Sequence, residues 1–431
     1  MGIVVGILIG VVALAVIGGL QRYVWRRVVR DTTTRGTRAR RAGTAVFVAG
    51  PVLMVGALVA GRTAPFWLQK VLAWPGYLWM ALMMYLLLAL VVGEVVRPVL
   101  RRALARKDGG AGESDRAEAG VTVGVGAAGS GADRAPAGPA PADPVAETPP
   151  EAPAPTGPSR RVFVSRVVAG AAVAAATGTV GYGTYSVLNG PSVKRVTVPL
   201  AKLPRSAHGF RIAVVSDIHL GPILGRSFTQ RVVDTINGTQ PDLIAVVGDL
   251  VDGSVANLGP AAAPLAGLEA RHGAFFVTGN HEYFSGAEEW VEEVRRLGLH
   301  PLENARTELP GFDLAGVNDV SAESEGQGPD FAKALGDRDP ARASVLLAHQ
   351  PVVIHDAVRH GIDLQLSGHT HGGQLWPGNY LAELANPTVA GLERYGDTQL
   401  YVTRGAGAWG PPVRVGAPSD ITVVELASKQ A

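Results

Sequence analysis

The chain has 431 residues, a hydrophobic content of 47% and a formal net charge of +2. This near-neutral balance does not favour a nucleic-acid-binding protein, because the arginines cluster beside apolar runs instead of forming a separate basic region. The sequence contains no cysteine, which excludes disulfide bonds, thiolate metal ligands and a thiol nucleophile.

Three uncharged apolar runs occupy the first part of the chain, at residues 3–20, 42–61 and 71–93. A hydrocarbon core about 30 Å thick needs roughly 20 helical residues, so each run is long enough to cross a bilayer. We therefore expect residues 1–107 to be a transmembrane region with helices at about 3–20, 42–61 and 71–96.

The basic residues between these runs predict their orientation. Residues 22–41 carry many arginines, whereas the second loop holds only Arg62 and Lys70, and residues 97–107 are basic again. The positive-inside rule places the first and third of these segments in the cytoplasm. The pattern predicts a multi-pass protein of the cell membrane.

Residues 108–158 are rich in Ala, Pro, Gly and Glu and contain no aromatic residue. Such a segment cannot bury enough apolar surface to offset the entropy lost on ordering. We expect a disordered cytoplasmic linker.

A fourth apolar run, at 167–188, lies within the segment 159–190 and is interrupted by Thr and Gly. The sequence SRRVFV at 159–164 resembles a twin-arginine export signal, although ordinary basic flanking of a membrane helix explains the same arginines. We expect a fourth transmembrane helix or a signal-anchor segment here, with a buried soluble helix as the alternative. A helix leading outward at this point places the C-terminal domain outside the cytoplasm.

From residue 191 to 431 the pattern changes to short β-branched runs separated by amphipathic stretches. Strands are predicted at 211–216, 242–247, 274–278, 344–348, 364–367 and 399–403. Helical patterning lies between several of them, including 227–237 and 287–297. Apolar strands that alternate with helices indicate an α/β domain, and the closer spacing of the later strands favours a mixed sheet.

Polar residues stand where five of the strands end. The motifs are Asp217-Ile218-His219, Gly248-Asp249-Leu250-Val251-Asp252, Gly279-Asn280-His281-Glu282, His349, and Gly368-His369-Thr370-His371. Ligands of open α/β sheets bind beyond the carboxyl ends of the strands, so these side chains are expected to meet in one crevice. Glu282 is expected to position its loop and not to bind metal.

The mixture of carboxylate and imidazole groups suits Mn, Fe or Zn better than calcium or magnesium. Two such ions about 3.5–4 Å apart can hold a hydroxide between them and grip phosphoryl oxygens during an in-line displacement.

These motifs, in this order, resemble the calcineurin-like metallophosphoesterase family, and the resemblance covers residues 195–427. It implies a sandwich of two mixed β-sheets flanked by helices, and a hydrolase that uses two divalent metal ions. By the same resemblance Asp217, His219 and His371 bind the first ion, Asp249 bridges the two, and Asn280, His349 and His369 bind the second. His281 then faces the substrate and Asp252 orients it.

The segments SDIHLG, GDLVDG, TGNHEYF and SGHTHGGQLWP are similar to those of the bacterial membrane-associated YkuE-type branch. That resemblance implies a phosphodiesterase or pyrophosphatase acting on an envelope phosphate that is lipid-linked or derived from the cell wall. The alternatives are a phosphomonoesterase of the same fold and a non-catalytic phosphate-binding or regulatory membrane protein.

Two residues of a late Gly/Pro-rich loop, Trp409 and Arg414, are candidate substrate contacts. Arginine pairs bidentately with phosphate oxygens, which favours this role for Arg414. Packing of the domain is the alternative for Trp409.

Overall fold

The computed structural model describes residues 2–117 and 160–430. Most of the predicted linker, residues 118–158, lies outside these residues. The chain divides into two compact units, one made of residues 1–43 and 87–173 and the other of residues 44–86 and 174–431. Each unit is considered by itself below.

Long apolar helices form the N-terminal part of the chain: α1 Gly2–Trp25, α2 Arg38–Thr63, α3 Phe66–Ala117 and α4 Arg160–Leu188. Within the described residues, three segments are long and apolar enough to cross a membrane, namely Arg38–Thr63, Phe66–Ala103 and Arg161–Leu188. The helix α3 continues to Ala117, which lies inside the predicted linker.

In the first unit Glu94 of α3 gathers the polar contacts. Its carboxylate accepts hydrogen bonds from the Tyr23 hydroxyl at 2.9 Å and from Arg27 at 3.0 Å, and it pairs with Arg97 at 3.3 Å. This acidic group of the apolar helix is thus paired with basic side chains.

The second unit contains two six-stranded sheets. The first has the order β1-β12-β2-β3-β4-β5, formed by Ser192–Leu200, Asp420–Ser428, Phe210–Val215, Leu243–Val247, Ala274–Val277 and His300–Pro301. The second has the order β10-β11-β9-β8-β7-β6, formed by Gly391–Tyr395, Thr398–Val402, Leu364–Ser367, Ala343–Leu347, Phe312–Gly316 and Ala305–Leu309. Both sheets mix parallel and antiparallel pairs, which confirms the predicted fold class.

The alternating direction of side chains along each strand explains why the two sheets stack. In β3, Leu243, Ala245 and Val247 point into a core shared with the second sheet, while Ile244 and Val246 point to the outer face. Successive side chains of a strand face opposite sides, so a fully apolar strand must be covered on both. The second sheet contributes apolar residues of β7 and β8 to the shared core, including Phe312, Leu314 and Leu347.

Helices cover the outer faces of the sheets. They are α5 Arg226–Gly238, α6 Val255–Ala262, α7 Asn280–Ser285, α8 Ala287–Arg296, α9 Phe331–Leu335, α10 Ile354–Arg359 and α11 Asn379–Ala385. In α8, Trp290, Val291 and Val294 are buried against the first sheet, at the spacing of one helix face. The helix α11 differs because it has no buried residue.

Parts of the apolar helices belong to the same unit as the sheets. Phe66 at the start of α3 packs against the core cluster beneath α5 and α8, and Val187 near the end of α4 is fully buried in it. Within the α2–α3 pair, Trp79 lies against Gly50, where a Cβ would collide with the indole ring. The start of α3 and the end of α4 therefore contribute to the core of the sheets.

Candidate metal centre

The predicted metal ligands follow the carboxyl ends of strands β2, β3, β4, β8 and β9, most of them in loops and Asn280 at the start of α7. Five of them adopt the left-handed backbone region, which L-residues rarely occupy: Asp217, His219, Asp249, His369 and His371. Such strain persists only where the surrounding structure fixes it, and it concentrates at functional sites. Five of the seven predicted ligands thus share this strained backbone, which Gln240, Asn304 and Gln374 also adopt.

Glycines let the loops approach one another closely. A Cβ at Gly279 would collide with the Asp249 carboxylate, and a Cβ at Gly368 would collide with the Ser216 hydroxyl. The glycine in each of these two motifs therefore makes room for a neighbouring metal-binding loop.

One cluster of side chains, termed here the first ligand group, consists of Asp217, His219 and His371. The Nε2 atoms of His219 and His371 lie 3.0 Å apart, and Nε2 of His371 lies 3.4 Å from Oδ1 of Asp217. All three residues are buried. Three potential ligand atoms therefore converge on one point.

The second ligand group consists of Asn280, His349 and His369. Nδ1 of His369 lies 3.0 Å from Oδ1 of Asn280, and the His349 and His369 rings are 5.2 Å apart. Together with Asp249, His349 and His369 offer ligand atoms within 4.8 Å of one another.

Asp249 lies between the two groups. Its Oδ2 atom is 3.7 Å from Nε2 of His219 and 3.2 Å from Nε2 of His349. Burial acts to raise the pKa of this carboxyl, but the imidazoles of His349, His219 and His281 hold the pKa well below its ordinary value. A charged carboxylate in this position can bind an ion on either side.

His349 provides a direct test of whether the site fits a cation. Its Nδ1 atom lies 2.8 Å from the Val247 carbonyl, so in the neutral ring Nδ1 carries the proton and donates it there. The lone pair of Nε2 then points at the centre, where it faces Oδ2 of Asp249 at 3.2 Å and has no hydrogen-bond donor among the described residues. A buried imidazole nitrogen beside a carboxylate matches the donor set of a divalent metal ion.

The four histidines of the two ligand groups form two pairs that differ in charge when no cation is bound. Burial lowers the pKa of His369 to about 4, with His349 adding to the effect, and burial with His219 and Arg414 lowers the pKa of His371 well below its usual value. Burial acts the same way on His219, but Asp252, Asp249 and Asp217 outweigh it and raise the pKa of His219 to about 9.

For His349 the neighbouring carboxylates, Asp249 first, likewise outweigh burial and raise the pKa well above its usual value. Two imidazoles are therefore ready to bind metal, and two must first release a proton.

Asp252 connects the first ligand group to His281. Its Oδ1 atom lies 3.0 Å from Nδ1 of His219 and 2.7 Å from Nδ1 of His281. Burial acts to raise the pKa of Asp252, but His219 and His281 lower it to about 2, so the group is a carboxylate. His281 is the more exposed of the two imidazoles, and its Nε2 atom lies 4.0 Å from Oδ2 of Asp249.

Glu282 braces two of the loops, those that follow β3 and β4. Its carboxylate accepts hydrogen bonds from the backbone N–H groups of Gly279 at 2.6 Å, Asp249 at 2.9 Å and Leu250 at 2.8 Å. It is fully buried, and burial together with the Asp249 charge raises its pKa to about 7. The expected positioning role of this residue agrees with these contacts.

The two candidate substrate contacts have different surroundings. Arg414 is only 2% exposed, and its guanidinium donates to the carbonyls of Gly407, His371 and Ala417. One of its nitrogens also lies 3.2 Å from Nδ1 of His371. Arg414 therefore braces the His371 loop from inside the protein, and no substrate can reach it as the loop stands.

Trp409 is 58% exposed, and its ring centroid lies 5.5 Å from that of His281. Phe284, which is 75% exposed, lies at the same distance from His281 and belongs to the same helix, α7. The structure thus adds Phe284, the last residue of the TGNHEYF motif, to the rim of the site.

Comparison with known proteins agrees with the family resemblance of the sequence motifs. Residues 210–373 match the family model of the calcineurin-like phosphoesterases. The chain is 33% identical over 242 residues to an uncharacterized metallophosphoesterase of Aquifex aeolicus, of which it covers 92%, with 55% of this chain aligned. It is 30% identical over 261 residues to the uncharacterized metallophosphoesterase YkuE of Bacillus subtilis, with 59% of this chain and 91% of that protein aligned.

A relative described as a transmembrane protein is also found. The chain is 42% identical over 264 residues to a transmembrane protein with a metallophosphoesterase domain from Danio rerio. The alignment covers 58% of this chain and 60% of that protein, so the two share only part of their lengths.

Proposed function

We propose, since the chain belongs to the calcineurin-like phosphoesterase family and is a metal-dependent phosphoesterase, that it is a membrane-anchored phosphodiesterase or pyrophosphatase with two metal ions. The observation that carries the proposal is the position of Asp249 between the two ligand groups. A shared carboxylate is what a binuclear centre requires.

Each ion would be held by the members of one ligand group. Asp217, His219 and His371 would hold one ion and Asn280, His349 and His369 the other, with Asp249 contacting both. When bound, two such ions supply a nucleophile at neutral pH and neutralise charge on the phosphoryl oxygens.

His281 and Asp252 have distinct roles in this proposal. His281 stands at the rim of the centre, where it donates a proton to the leaving oxygen through Nε2. The Asp252 carboxylate, 2.7 Å from Nδ1, fixes the orientation of the ring. Proton transfer by a positioned side chain contributes roughly 10²–10⁴-fold to a rate.

The membrane location rests on the apolar helices. Three described helices are long enough to span a bilayer, and the arginine pattern turns the segment after α4 outward. The substrate of an outward-facing site would be a phosphoester of the cell envelope, either lipid-linked or derived from the cell wall.

The test of catalysis uses the full chain in lipid nanodiscs, because α3 and α4 contribute to the core of the catalytic domain. The protein is stripped of metal, reloaded with Mn, Zn or Fe, and assayed on bis-p-nitrophenyl phosphate and on p-nitrophenyl phosphate beside Asp249→Ala. Faster hydrolysis of the diester is expected. A preference for the monoester supports the phosphomonoesterase alternative, and activity equal to that of the variant with every metal rules out the catalytic proposal.

The absence of cysteine allows a separate test of topology. Gln430→Cys places one thiol at an exposed position near the end of β12. Labelling by a membrane-impermeant maleimide in intact spheroplasts is expected. Labelling only after lysis would place the domain in the cytoplasm.

A further inference from the structure

Several large apolar side chains are exposed on α11 and on the segments that carry Trp376, Trp409 and Phe284. On α11, Leu381 is 72% exposed and Leu384 is 85% exposed, and Tyr380 is exposed beside them. Trp376, Trp409 and Phe284 complete this group of exposed residues, which is termed the apolar belt. Large apolar patches on a domain surface mark a site of interaction.

The apolar helices contact the loops that carry the belt. The Tyr85 hydroxyl of α3 donates to the carbonyl of Trp376 at 3.0 Å. A Cβ at Gly410, next to Trp409, would lie 3.8 Å from Cε of Met80 in the same helix. Both contacts fall within the segment Phe66–Ala103, which is long and apolar enough to cross a membrane.

A second apolar helix reaches the same region. The backbone N–H of Arg414 donates to the carbonyl of Gly183 in α4 at 3.3 Å. A Cβ at Gly183 would lie 2.7 Å from Val413, so the small residue lets α4 approach this loop. The loops around the belt are therefore attached to two candidate membrane helices.

The belt also borders the metal centre. The rings of Trp409 and Phe284 each lie 5.5 Å from the ring of His281. Gln374 joins the two belt loops, because its side chain donates to the Trp409 carbonyl at 2.9 Å and accepts from the Trp409 N–H at 3.0 Å. A surface that inserts into lipid here would bring lipid head groups to His281.

We infer that the apolar belt inserts into the membrane leaflet beside α3 and α4, and that the phosphoester reaching the metal centre is the head group of a lipid in that leaflet. This inference rests on the proposed function and specifies its substrate. The residue types in the belt and its attachment to two candidate membrane helices favour a bilayer over a protein partner. Trp and Tyr side chains prefer the membrane interface, where the ring is buried and the polar atom stays wet, and the belt is attached to helices suited to the same bilayer.

Insertion can be measured without any assay of activity. Leu384→Cys and Val358→Cys each introduce a single thiol, and Val358 is a partly exposed apolar residue on α10, outside the belt. Each full-length variant is labelled with a nitrobenzoxadiazole dye in phosphatidylcholine nanodiscs that contain doxyl-labelled lipid. The label at 384 should emit at shorter wavelength and be quenched, while the label at 358 should report water. Equal spectra and equal quenching at the two positions overturn the inference.

A kinetic test asks whether the leaflet supplies the substrate. The double substitution Leu381→Ser with Leu384→Ser is compared with Val358→Ser on two probes that release the same p-nitrophenol. One probe is bis-p-nitrophenyl phosphate in solution, and the other is dioleoyl phosphatidic acid esterified with p-nitrophenol and embedded in the nanodisc.

The double variant should lose about tenfold or more in kcat/KM on the lipid probe, because two large apolar contacts with the leaflet are removed. It should keep its rate on the soluble probe. Equal losses on both probes, or none on either, overturn the inference. If wild-type protein cleaves neither probe, the proposed function fails, whereas the labelling result still decides whether the belt inserts.

Discussion

The two halves of the metal centre are supported by different kinds of group. In the first ligand group His219 is oriented by the Asp252 carboxylate, and His371 is contacted by the Arg414 guanidinium. In the second, Nδ1 of His349 donates to the main-chain carbonyl of Val247 at the end of β3. One half thus depends on ionisable side chains and the other on the backbone of a central strand.

This difference has a consequence for mutation and for pH. A side-chain support can be removed by one substitution, whereas a backbone carbonyl cannot. The groups that orient metal ligands affect affinity by about 10–100-fold, so the first half should be the more easily weakened of the two. Asp249, which contacts both, should be the one position where the halves fail together.

The substitution Asp249→Asn should have the largest effect on activity, because it should weaken metal binding in both halves of the centre. It removes the charge that lies 3.7 Å from His219 and 3.2 Å from His349. Hydrolysis of bis-p-nitrophenyl phosphate should fall by about 10³-fold or more, since a metal centre contributes several kcal/mol to the transition state. Elemental analysis should show less than one ion per chain.

The matched control is Asp234→Asn, on the exposed face of α5. It should retain wild-type activity and metal content. An Asp249→Asn protein that still binds two ions would contradict the bridging role.

The substitution Asp252→Asn should come next and separate the halves. The amide keeps the size of the side chain but lacks the charge that orients His219 and His281. Affinity for one ion should fall about 10–100-fold, while the other ion stays in place. Titration with a competing fluorescent chelator measures the two affinities, and a parallel loss of both ions would contradict the division.

The metal-binding loops could be predicted from the sequence because their information is local. Each ligand follows a short apolar strand, and the strands predicted at 211–216, 242–247, 274–278, 344–348 and 364–367 are present within one residue or so at each end. Parallel strands align their carboxyl ends, so adjacent motifs in sequence became neighbours in space. Even the expected role of Glu282 is consistent with its three N–H partners.

Other parts depend on contacts between distant segments. Six strands are absent from the predicted set: β1, β5, β6, β7, β10 and β12. Of these, β1 and β10 are largely exposed and carry polar residues such as Lys194 and Glu393. β1 pairs only with β12, which lies at the other end of the domain sequence. The attachment of α3 and α4 to the catalytic domain is of the same kind, since no local pattern shows that Tyr85 meets Trp376.

The metal affinity of both halves should depend on pH. In the cation-free protein burial opposes the charged imidazoles, but the neighbouring carboxylates raise the pKa of His219 to about 9 and the pKa of His349 well above its usual value. Each ion must displace one of these protons, so affinity at both sites should fall as pH falls, by about tenfold per unit between roughly pH 8 and 6.

Asp252→Asn should separate the two slopes. Among the carboxylates, Asp252 contributes most to raising the pKa of His219, so without it the slope at the first site should become shallower while that at the second is unchanged. Chelator titrations at several pH values give both slopes. A pH-independent affinity at either site would show that its imidazole is already neutral before the ion arrives.

The smallest effect is expected from Arg414→Lys, which tests whether this residue supports a ligand or binds substrate. Lysine keeps a positive charge but cannot donate in fixed directions to the carbonyls of Gly407, His371 and Ala417. Because His371 belongs to the first ligand group, affinity for that one ion should weaken by a few-fold, and KM for the diester at saturating metal should not change. A phosphate-binding arginine would give the reverse result, with normal metal affinity and a raised KM. Since the guanidinium is buried behind the His371 loop, we expect the first outcome, which would place Arg414 with Asp252 as a side-chain support of the more easily weakened half.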